Sequence, residues 1–524
     1  MTHPRPVVGT ADNYELDEPH RVPWVLGTHL HPEAGPLERA PDGSRVCMIE
    51  AHDFARRKPY HHHKLTLVFS AMRHFRDELR AAGYEVEYIR TDSFADGLAT
   101  YFERHPADTL VAMRSPSHRS GDRFRDLVDD AGGDLELVDN ELFCSTREAF
   151  DEWVDGDDDS FRHEAFYRWM RRESGVLLRP DGTPVGDEWN LDDANQEFPP
   201  DDWEAPPAPA PEVDDLTAEV AEWVATEFDT WGATDNFRWP VTRDEALAAL
   251  DHFVAERLPE FGPYQDAIRT DDWAMAHALL SPAVNLGLLH PWEAVTAIES
   301  AYEAREDVPL NSAEGAIRQF LGWREFMRHV YRHAMPELAD ANQLGAERDL
   351  PEFYWSGETD MHCVASTVAD VAERGYSHHI QRLMVLANFA TLWGVDPKQL
   401  NEWFHATYVD AYHWVTTPNV VEMGSYGHGV FATKPYVSSA SYVDRMSDYC
   451  GDSEYDPDRT TGRGACPFNA LYWEFLARNE DQLRSNHRMG LMYGHVDSKR
   501  EDGELDEVHQ RVSELRTMAG EDEL

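Results

Sequence analysis

From Val22 to about Val138 the chain alternates short β-rich runs with stretches of helical period, and this alternation restricts the fold more than any other feature of the sequence. The runs are VPWVLG, SRVCMIEA, YEVEYIRT, DTLVAM and LELVDN. Between them, KLTLVFSAMRHFRDELRAAG and HRSGDRFRDLVDDAGG repeat apolar residues at helical spacing. Strands joined through helices must lie parallel, because a parallel neighbour is reached only by a long crossover. Ligands of such sheets sit beyond the carboxyl ends of the strands, but no GxGxxG follows the first run, so no nucleotide site is signalled by motif.

The stretch after this region changes character. VDGDDDS and EFPPDDWEAPPAPAPEVDD are acidic and rich in proline, a composition that stiffens a chain into an extended spacer. Beyond Leu216 helical period dominates, as in LTAEVAEWVATEFDTW, NSAEGAIRQFLGWREFMRHVYRHA and SHHIQRLMVLANFATLWG. The expected division is an extension over 1–20, an α/β domain over 21–154, a connector over 155–215 and a helical domain over 216–524. A chain of 524 residues exceeds one hydrophobic core, which agrees with that division. No apolar run approaches ~18 residues and the start lacks a charged-then-apolar signal. The five cysteines are odd in number and scattered, so a protein of the reducing cytoplasm, not of a membrane, is expected.

The formal net charge is −51, from 98 acidic and 47 basic residues, with lysine only at Lys58, Lys64, Lys398, Lys434 and Lys499. The acids are spread along the whole chain, the pattern of a surface that stays solvated in concentrated salt. Such charge opposes binding by phosphate neutralisation. At molar salt, however, the screening length falls to ~3 Å, so a DNA binder there relies on short contacts: arginine to phosphate, stacking, and insertion of a flipped base.

SHHIQRL places His378 and His379 side by side and Arg382 one helical turn from His378. No HExxH spacing accompanies them, and adjacent helical residues face different sides, which suits one surface and one core histidine as readily as a working pair. Cys363, Cys450 and Cys466 are the cysteines of the helical half, and Cys466-Pro467 is a pairing found in ferredoxin cluster loops. Ser453 stands where a CxxC would supply sulfur. The same thiols also read as small buried apolar side chains. The HHHKL of His61 to Leu65 reads as a basic helix start, not as a metal site.

Taken in order, YWSGETDMHC, GYSHHIQRLMVLANF, YVDAYHWVTTPNVVEM, FATKPYVSSASYVDRMSDYC and GACPFNALYWEFL closely resemble the prokaryotic iron-sulfur photolyases and cryptochromes. HHHKLTLVFSAMRHFRDEL, FGPYQDAI, LLSPAVNLGLL and IRQFLGWREFMR fit the same family, so the resemblance spans nearly the whole chain, here as a haloarchaeal-type member. It implies the photolyase/cryptochrome fold: an N-terminal Rossmann-like parallel-sheet α/β domain that binds an antenna, and an all-α C-terminal domain that holds bent FAD. By resemblance, Tyr264, His277, Ser281, Asn285, Arg318, Trp323, Glu325, Asn388 and Asp410 line or support the flavin. His378, His379, Tyr436 and Met423 form the lesion pocket, with one histidine passing a proton to the photoproduct. Trp403 and Trp355 carry electrons to the flavin. Tyrosine often follows the first of these in the family, whereas this chain has Phe404. Cys363, Cys450 and Cys466 match ligands of a [4Fe-4S] cluster, with Ser453 at the fourth position. That departure leaves three alternatives: a serinate-ligated cubane, one completed by solvent or a carboxylate such as Asp452, or loss of the cluster. The family's usual antenna is a ribityl-lumazine, but GTHLHPEAG replaces its Asp-Gln-Leu turn, leaving a deazaflavin or no antenna as alternatives. The activity implied is light-dependent repair of (6-4) photoproducts in UV-damaged DNA by a monomer. The rival readings are a cryptochrome-like photosensor and a light-independent flavoprotein or nucleic-acid-binding module.

Overall fold

The computed structural model describes residues 7–16, 18, 20–155, 161–520 and 524. Strands β1 (Arg21–Val25), β2 (Arg45–Ala51), β3 (Glu85–Thr91), β4 (Thr109–Met113) and β5 (Asp134–Val138) form one sheet in the order β3-β2-β1-β4-β5. All pairings are parallel, with Trp24 opposite Cys47, Val46 opposite Val86 and Leu110 opposite Leu135. Alternate side chains go to opposite faces: Cys47 and Ile49 pack with Trp24, Leu98, Tyr101 and Val128, while Val46 and Met48 pack with Leu67, Ala71 and Phe75. Helices Phe94–Arg104 and Ser120–Asp130 cover the first face and His62–Ala81 the second, so both sides of the strands are apolar. The helix Phe94–Arg104 has no counterpart among the expected helices, because Gly97 interrupts its apolar stripe. That glycine is required by close approach, since a Cβ there would lie 2.6 Å from Cγ2 of Ile49.

The three histidines of the HHHKL start are buried and uncharged, so the basic character read there rests on Lys64 alone. His61 caps the helix His62–Ala81, its Nδ1 accepting from the His63 N–H at 3.0 Å. Nε2 of His61, His62 and His63 donates to the carbonyls of Ala372, Ala221 and Asp235 at 3.1, 3.0 and 2.7 Å. Burial pushes His61 down to about 3 and His63 to about 4. The three imidazoles therefore act as a clasp that ties the sheet to the helical half.

The segment 155–215 is not a free spacer. Helix His163–Ser174 buries Phe166, Tyr167 and Met170, and its close seat on the body requires Gly322, where a Cβ would meet Nε2 of His163 at 2.9 Å. The proline-rich stretch is held by its carbonyls, which proline retains: Arg257 donates to Pro206 O at 2.5 Å and His252 to Pro207 O at 2.7 Å. Residues 156–160 of the acidic run lie outside the described residues, as do 1–6, 17 and 19 of the expected extension. Val8, within that extension, exchanges backbone hydrogen bonds with Cys144 and Thr146 at 2.8 and 2.9 Å.

From Asp215 onward the described chain is helical and packs around Val385, Leu386, Phe389, Trp403, Phe468 and Leu471. Its helices widen to π-turns at Phe253–Arg257, Arg318–Arg324, Gln381–Ala387 and Pro418–Gly424. A π-turn inserts one residue and re-aims its neighbours, an arrangement frequent at functional sites. These turns carry Arg318, Trp323, Arg382 and Met423. Among the described residues no helix is long and apolar enough to cross a membrane.

Inside the sheet part, Glu50 is buried and accepts from Arg73 at 2.8 and 3.0 Å, from Arg90 at 3.0 Å and from the Tyr88 hydroxyl. Burial alone would raise its carboxyl. The Arg73, His52 and Tyr88 hydrogen bonds outweigh it and bring the pKa to about 2. Removing one partner of a buried pair costs about 3–5 kcal/mol, so Glu50→Ala should lower unfolding stability by that order in denaturant melts at molar salt. The Glu50 contribution is complete above the ordinary 4.5 and disappears as pH falls toward about 2, so the deficit of Glu50→Gln relative to wild type should shrink on acidification through that window.

Candidate functional site

Asp410 is the meeting point of three segments. Ser281 and Asn285 come from the short helix Ser281–Leu286, started by Pro282 and ended by Gly287 at φ 87°. Arg382 comes from the π-turn Gln381–Ala387. The Asp410 carboxylate accepts from both Arg382 Nη atoms at 3.0 Å and from Ser281 Oγ at 2.7 Å, while its carbonyl accepts from Asn285 Nδ2 at 2.9 Å. Lys64, from the helix beneath the sheet, reaches to either side of this residue and donates to the carbonyls of His405 and Ala411, each at 2.6 Å. Burial would raise the Asp410 carboxyl, but Arg382, Ser281 and Lys64 together hold it below the usual range. Burial lowers the Lys64 ammonium to about 7. Asn388, in the helix that continues the π-turn, clamps Ser438 by Nδ2 to its carbonyl at 3.0 Å and by Oδ1 to its N–H at 3.1 Å.

A second group lies close by. His277 and His378 stack with ring centroids 4.7 Å apart and planes 17° apart, and His379 meets His277 edge-on at 5.4 Å. The adjacent pair does face different sides, His378 being 1% exposed and the His379 side chain 45%. Both ring nitrogens of His378 and Nε2 of His277 are buried without a hydrogen-bond partner in the protein. Burial holds both imidazoles well below their ordinary pKa, so they are neutral at pH 7. His379 Nε2 lies 3.4 Å from the Asp266 carboxylate. One nitrogen from each histidine falls within 4.8 Å of the others. The stacked rings, however, send their in-plane lone pairs along nearly parallel planes and not toward one point, which fits hydrogen bonding to an inserted polar ring better than tetrahedral metal ligation. These orphaned nitrogens are the feature that a bound flavin or an inserted base would satisfy.

Further candidates line the surroundings. Tyr436 is 39% exposed, and Met423 is half-buried on the π-turn Pro418–Gly424. Tyr264 packs edge-on against Trp203 at 5.0 Å. Arg318 pairs with Asp192 at 2.8 Å and Glu314 at 3.2 Å, with its Nη2 left unpartnered. Asp192 and Trp203 carry no sequence motif, while Asp266 and Tyr442, whose hydroxyl bonds Asp266, lie within FGPYQDAI and FATKPYVSSASYVDRMSDYC without standing out there, and the folded connector and helix ends bring them to the others. Arg445 lies 5.3 Å over the Tyr442 ring. Two expected flavin residues are turned to other partners. Trp323 stacks on His163 of the connector at 3.7 Å. Glu325 accepts from the N–H groups of Cys144 and Ser145 at 2.9 and 3.2 Å and from Ser145 Oγ at 2.9 Å. Trp323 braces the connector, and Glu325 the α/β part, against the helices.

Cys363, Cys450 and Cys466 are free thiols near enough to interact electrostatically. Burial pushes Cys363 well up, Cys450 to about 12 and Cys466 to about 11. Converging thiols that resist ionisation on their own form a donor set whose ionisation a metal centre would favour. Ser453 Oγ accepts from the Tyr455 N–H at 3.2 Å. Trp403, 1% exposed, lies 6.5 Å from Trp355. At the carboxyl ends of β1 and β4, where the strand order reverses, Thr28, His29, Ser115 and Asn140 face Arg324 and Trp414 across a cleft of about 40 Å³. That space suits a water, not a ribityl-lumazine or a deazaflavin, whose sites run to ~300 Å³ or more.

A family model described as deoxyribodipyrimidine photo-lyase-related protein matches residues 23–239. A (6-4) photolyase of Agrobacterium fabrum is 40% identical over 481 residues, which is 90% of this chain and 94% of that relative. Among solved structures, a cryptochrome of Synechocystis sp. PCC6803 superposes with a TM-score of 0.60 at 15% identity, covering 81% of this chain and 86% of its own. A class III photolyase from Agrobacterium tumefaciens superposes with a TM-score of 0.56 at 16% identity, covering 90% and 98%. These two likenesses establish the fold, that of photolyases and cryptochromes.

If the Arg382–Asp410 pair governs the site, Asp410→Asn, which leaves a half-buried guanidinium uncompensated, should cost on the order of 3 kcal/mol. Ser281→Ala, which removes one hydrogen bond to a charged group, should cost about 1.5–3 kcal/mol. Thermal melts of both variants at molar salt check the order, and a larger loss in Ser281→Ala would count against the ion pair as the dominant contact.

Proposed function

The chain belongs to the deoxyribodipyrimidine photolyase-related family, and from that premise we propose that it is a photolyase that repairs (6-4) photoproducts in UV-damaged DNA under light. Identity of 40% over 90% of the chain to a (6-4) photolyase supports the activity. The observation that carries the chemistry is the His277–His378 stack, with buried nitrogens lacking partners and His379 open to solvent beside it. When bound, FAD supplies the light-driven electron.

In this reading the 216–524 part is the FAD-binding domain and the 21–154 part the α/β domain docked on it. His277, Ser281, Asn285, Arg382, Asn388 and Asp410 hold the flavin, with Tyr264 and Arg318 at its edge. The neutral rings of His277 and His378 offer hydrogen bonds without introducing a competing charge. A lesion base flipped from the duplex loses its stacking, and Tyr436 and Met423 cover it and keep water away. His379 Nε2, at the solvent side and beside the Asp266 carboxylate, is the group placed to hold a proton and pass it to the photoproduct, a task suited to imidazole near neutrality. Arg445 over Tyr442 supplies a short-range cation for backbone phosphate, the kind of contact that survives in concentrated salt. We read the acidic surface as an adaptation to such salt.

Cys363, Cys450 and Cys466 would hold an iron-sulfur cluster with Ser453 nearby, its role being to tie the C-terminal helices to the helix His362–Arg374. The cleft at the strand ends does not fit a ribityl-lumazine, so in this reading the flavin is the light-absorbing group.

Blue light should restore a (6-4)-containing oligonucleotide treated with the reduced protein at molar salt, and darkness should not. A photoreducible flavoprotein that leaves the lesion intact would overturn repair in favour of photosensing. His378→Ala and His379→Ala should each lower repair sharply while retaining flavin, as read from absorbance, and wild-type repair in both would remove the pair from the chemistry. Protein purified without oxygen should contain iron and sulfide near ~4 per chain, and folded, active, iron-free protein would reject the cluster.

A further inference from the structure

Acidic residues fill 98 of the 524 positions, yet no carboxylate is among the residues that line the cleft at the carboxyl ends of β1 and β4. The α/β part contributes Thr28, His29, Ser115 and Asn140 to it, and the helical part Arg324 and Tyr412. The Asn140 amide is oriented by its partners. Its Oδ1 accepts from the Leu142 N–H at 3.0 Å, and its Nδ2 donates to the Arg114 carbonyl at 3.0 Å and faces His29 Nε2 at 3.2 Å. His29 Nε2 is therefore an acceptor. Burial lowers this imidazole to about 4, so the ring is neutral at pH 7 and its single proton sits on Nδ1. That N–H is buried and has no acceptor in the protein. Arg324 Nε and the Tyr412 hydroxyl are likewise buried without a partner.

Arg324 also brings a charge that its surroundings balance only in part. Its side chain is 11% exposed, and the guanidiniums of Arg324 and Arg328 each lie 4.1 Å from the centre of the Phe143 ring. One carboxylate serves both: Glu325 is 3.3 Å from Arg324 and 3.8 Å from Arg328. The same carboxylate already accepts from the N–H groups of Cys144 and Ser145 and from Ser145 Oγ. Among the described residues neither guanidinium pairs with a second carboxylate. Two buried cations against one anion leave a positive surplus, and a buried charge is costly until a counter-charge meets it. The cleft, of about 40 Å³, admits an occupant of the size of a water. A water would satisfy hydrogen bonds there but not the charge, whereas a halide ion accepts from donors in every direction and supplies the missing negative charge.

We infer that this cleft binds one small monovalent inorganic anion, a halide, with Arg324 as its counter-charge and the Tyr412 hydroxyl and the His29 Nδ1–H as further donors. One wall of the cleft belongs to each half of the chain, so the bound anion strengthens their docking. Asn285 lines the cleft as well and donates to the Asp410 carbonyl at 2.9 Å, which connects the anion to the Arg382–Asp410 pair. The site does not depend on the flavin reading, since none of its donors is used there.

The direct test is anomalous diffraction from crystals of the full chain grown in sodium bromide, where a bromide peak should lie in the cleft against Arg324. In solution, sodium chloride replaces sodium gluconate, an anion too large for the cleft, at constant molar ionic strength, and the melting temperatures of wild type and Arg324→Gln are compared at each step. The lead of wild type over Arg324→Gln should grow by on the order of 2 °C and then level off as the site fills. A map without bromide in the cleft, or a lead that stays constant across the series, would overturn the inference. The bromide map uses the wild-type chain, so it decides the matter even where Arg324→Gln does not fold.

Discussion

The two halves of this protein are joined where the buried Lys64 of one ends on backbone carbonyls of the other, beside the Arg382–Asp410 pair, and the site depends on that joint. Lys64 extends from the helix under the sheet to the carbonyls of His405 and Ala411, and between those residues in the chain stands Asp410, with Arg382, Ser281 and Asn285 attached to it. Taking these charges out of water is costly, and the arrangement survives because nearly every donor finds an acceptor at hydrogen-bond distance. The same contacts set the position of the π-turn Gln381–Ala387, and with it the neighbouring His378 and Asn388.

The charge distribution follows from this use of cations. Several basic side chains of a chain with few of them lie inside: Arg171 and Arg257 each donate to backbone carbonyls, and Arg73 pairs with Glu50. The surface is left acidic, a condition that concentrated salt screens within ~3 Å and dilute buffer does not. In the proposed function, nucleic-acid recognition on such a surface is local, resting on short contacts such as that offered by Arg445 over Tyr442.

Within the site, burial tunes chemistry through neutrality. His277 and His378 are kept uncharged by the loss of hydration, while His379, one residue on, remains in contact with water and a carboxylate. Two adjacent residues of one sequence thereby differ in their access to water, a division that their identity as histidines does not express.

Much was legible from the chain alone. Both-sided apolar runs separated by helical period dictate a parallel sheet covered on two faces, since nothing else buries such strands, and motifs such as SHHIQRL and GACPFNALYWEFL carry the family and many of its residues. The helix around Gly97 escaped because close packing demanded a residue that erases the periodic signal. The histidines of HHHKL add nothing to its basic character, because the charge of an imidazole depends on whether water reaches it. Trp323 and Glu325 face His163 and Ser145, partners remote in sequence, and Trp231 meets Trp355 across more than a hundred residues of the helical half. The sequence by itself determined which elements form and which residues are available for chemistry, because periodicity and residue type are local properties. Which of them touch, and which are charged, only the tertiary structure decided, because contact across a hundred residues and access to water exist only once the chain has packed.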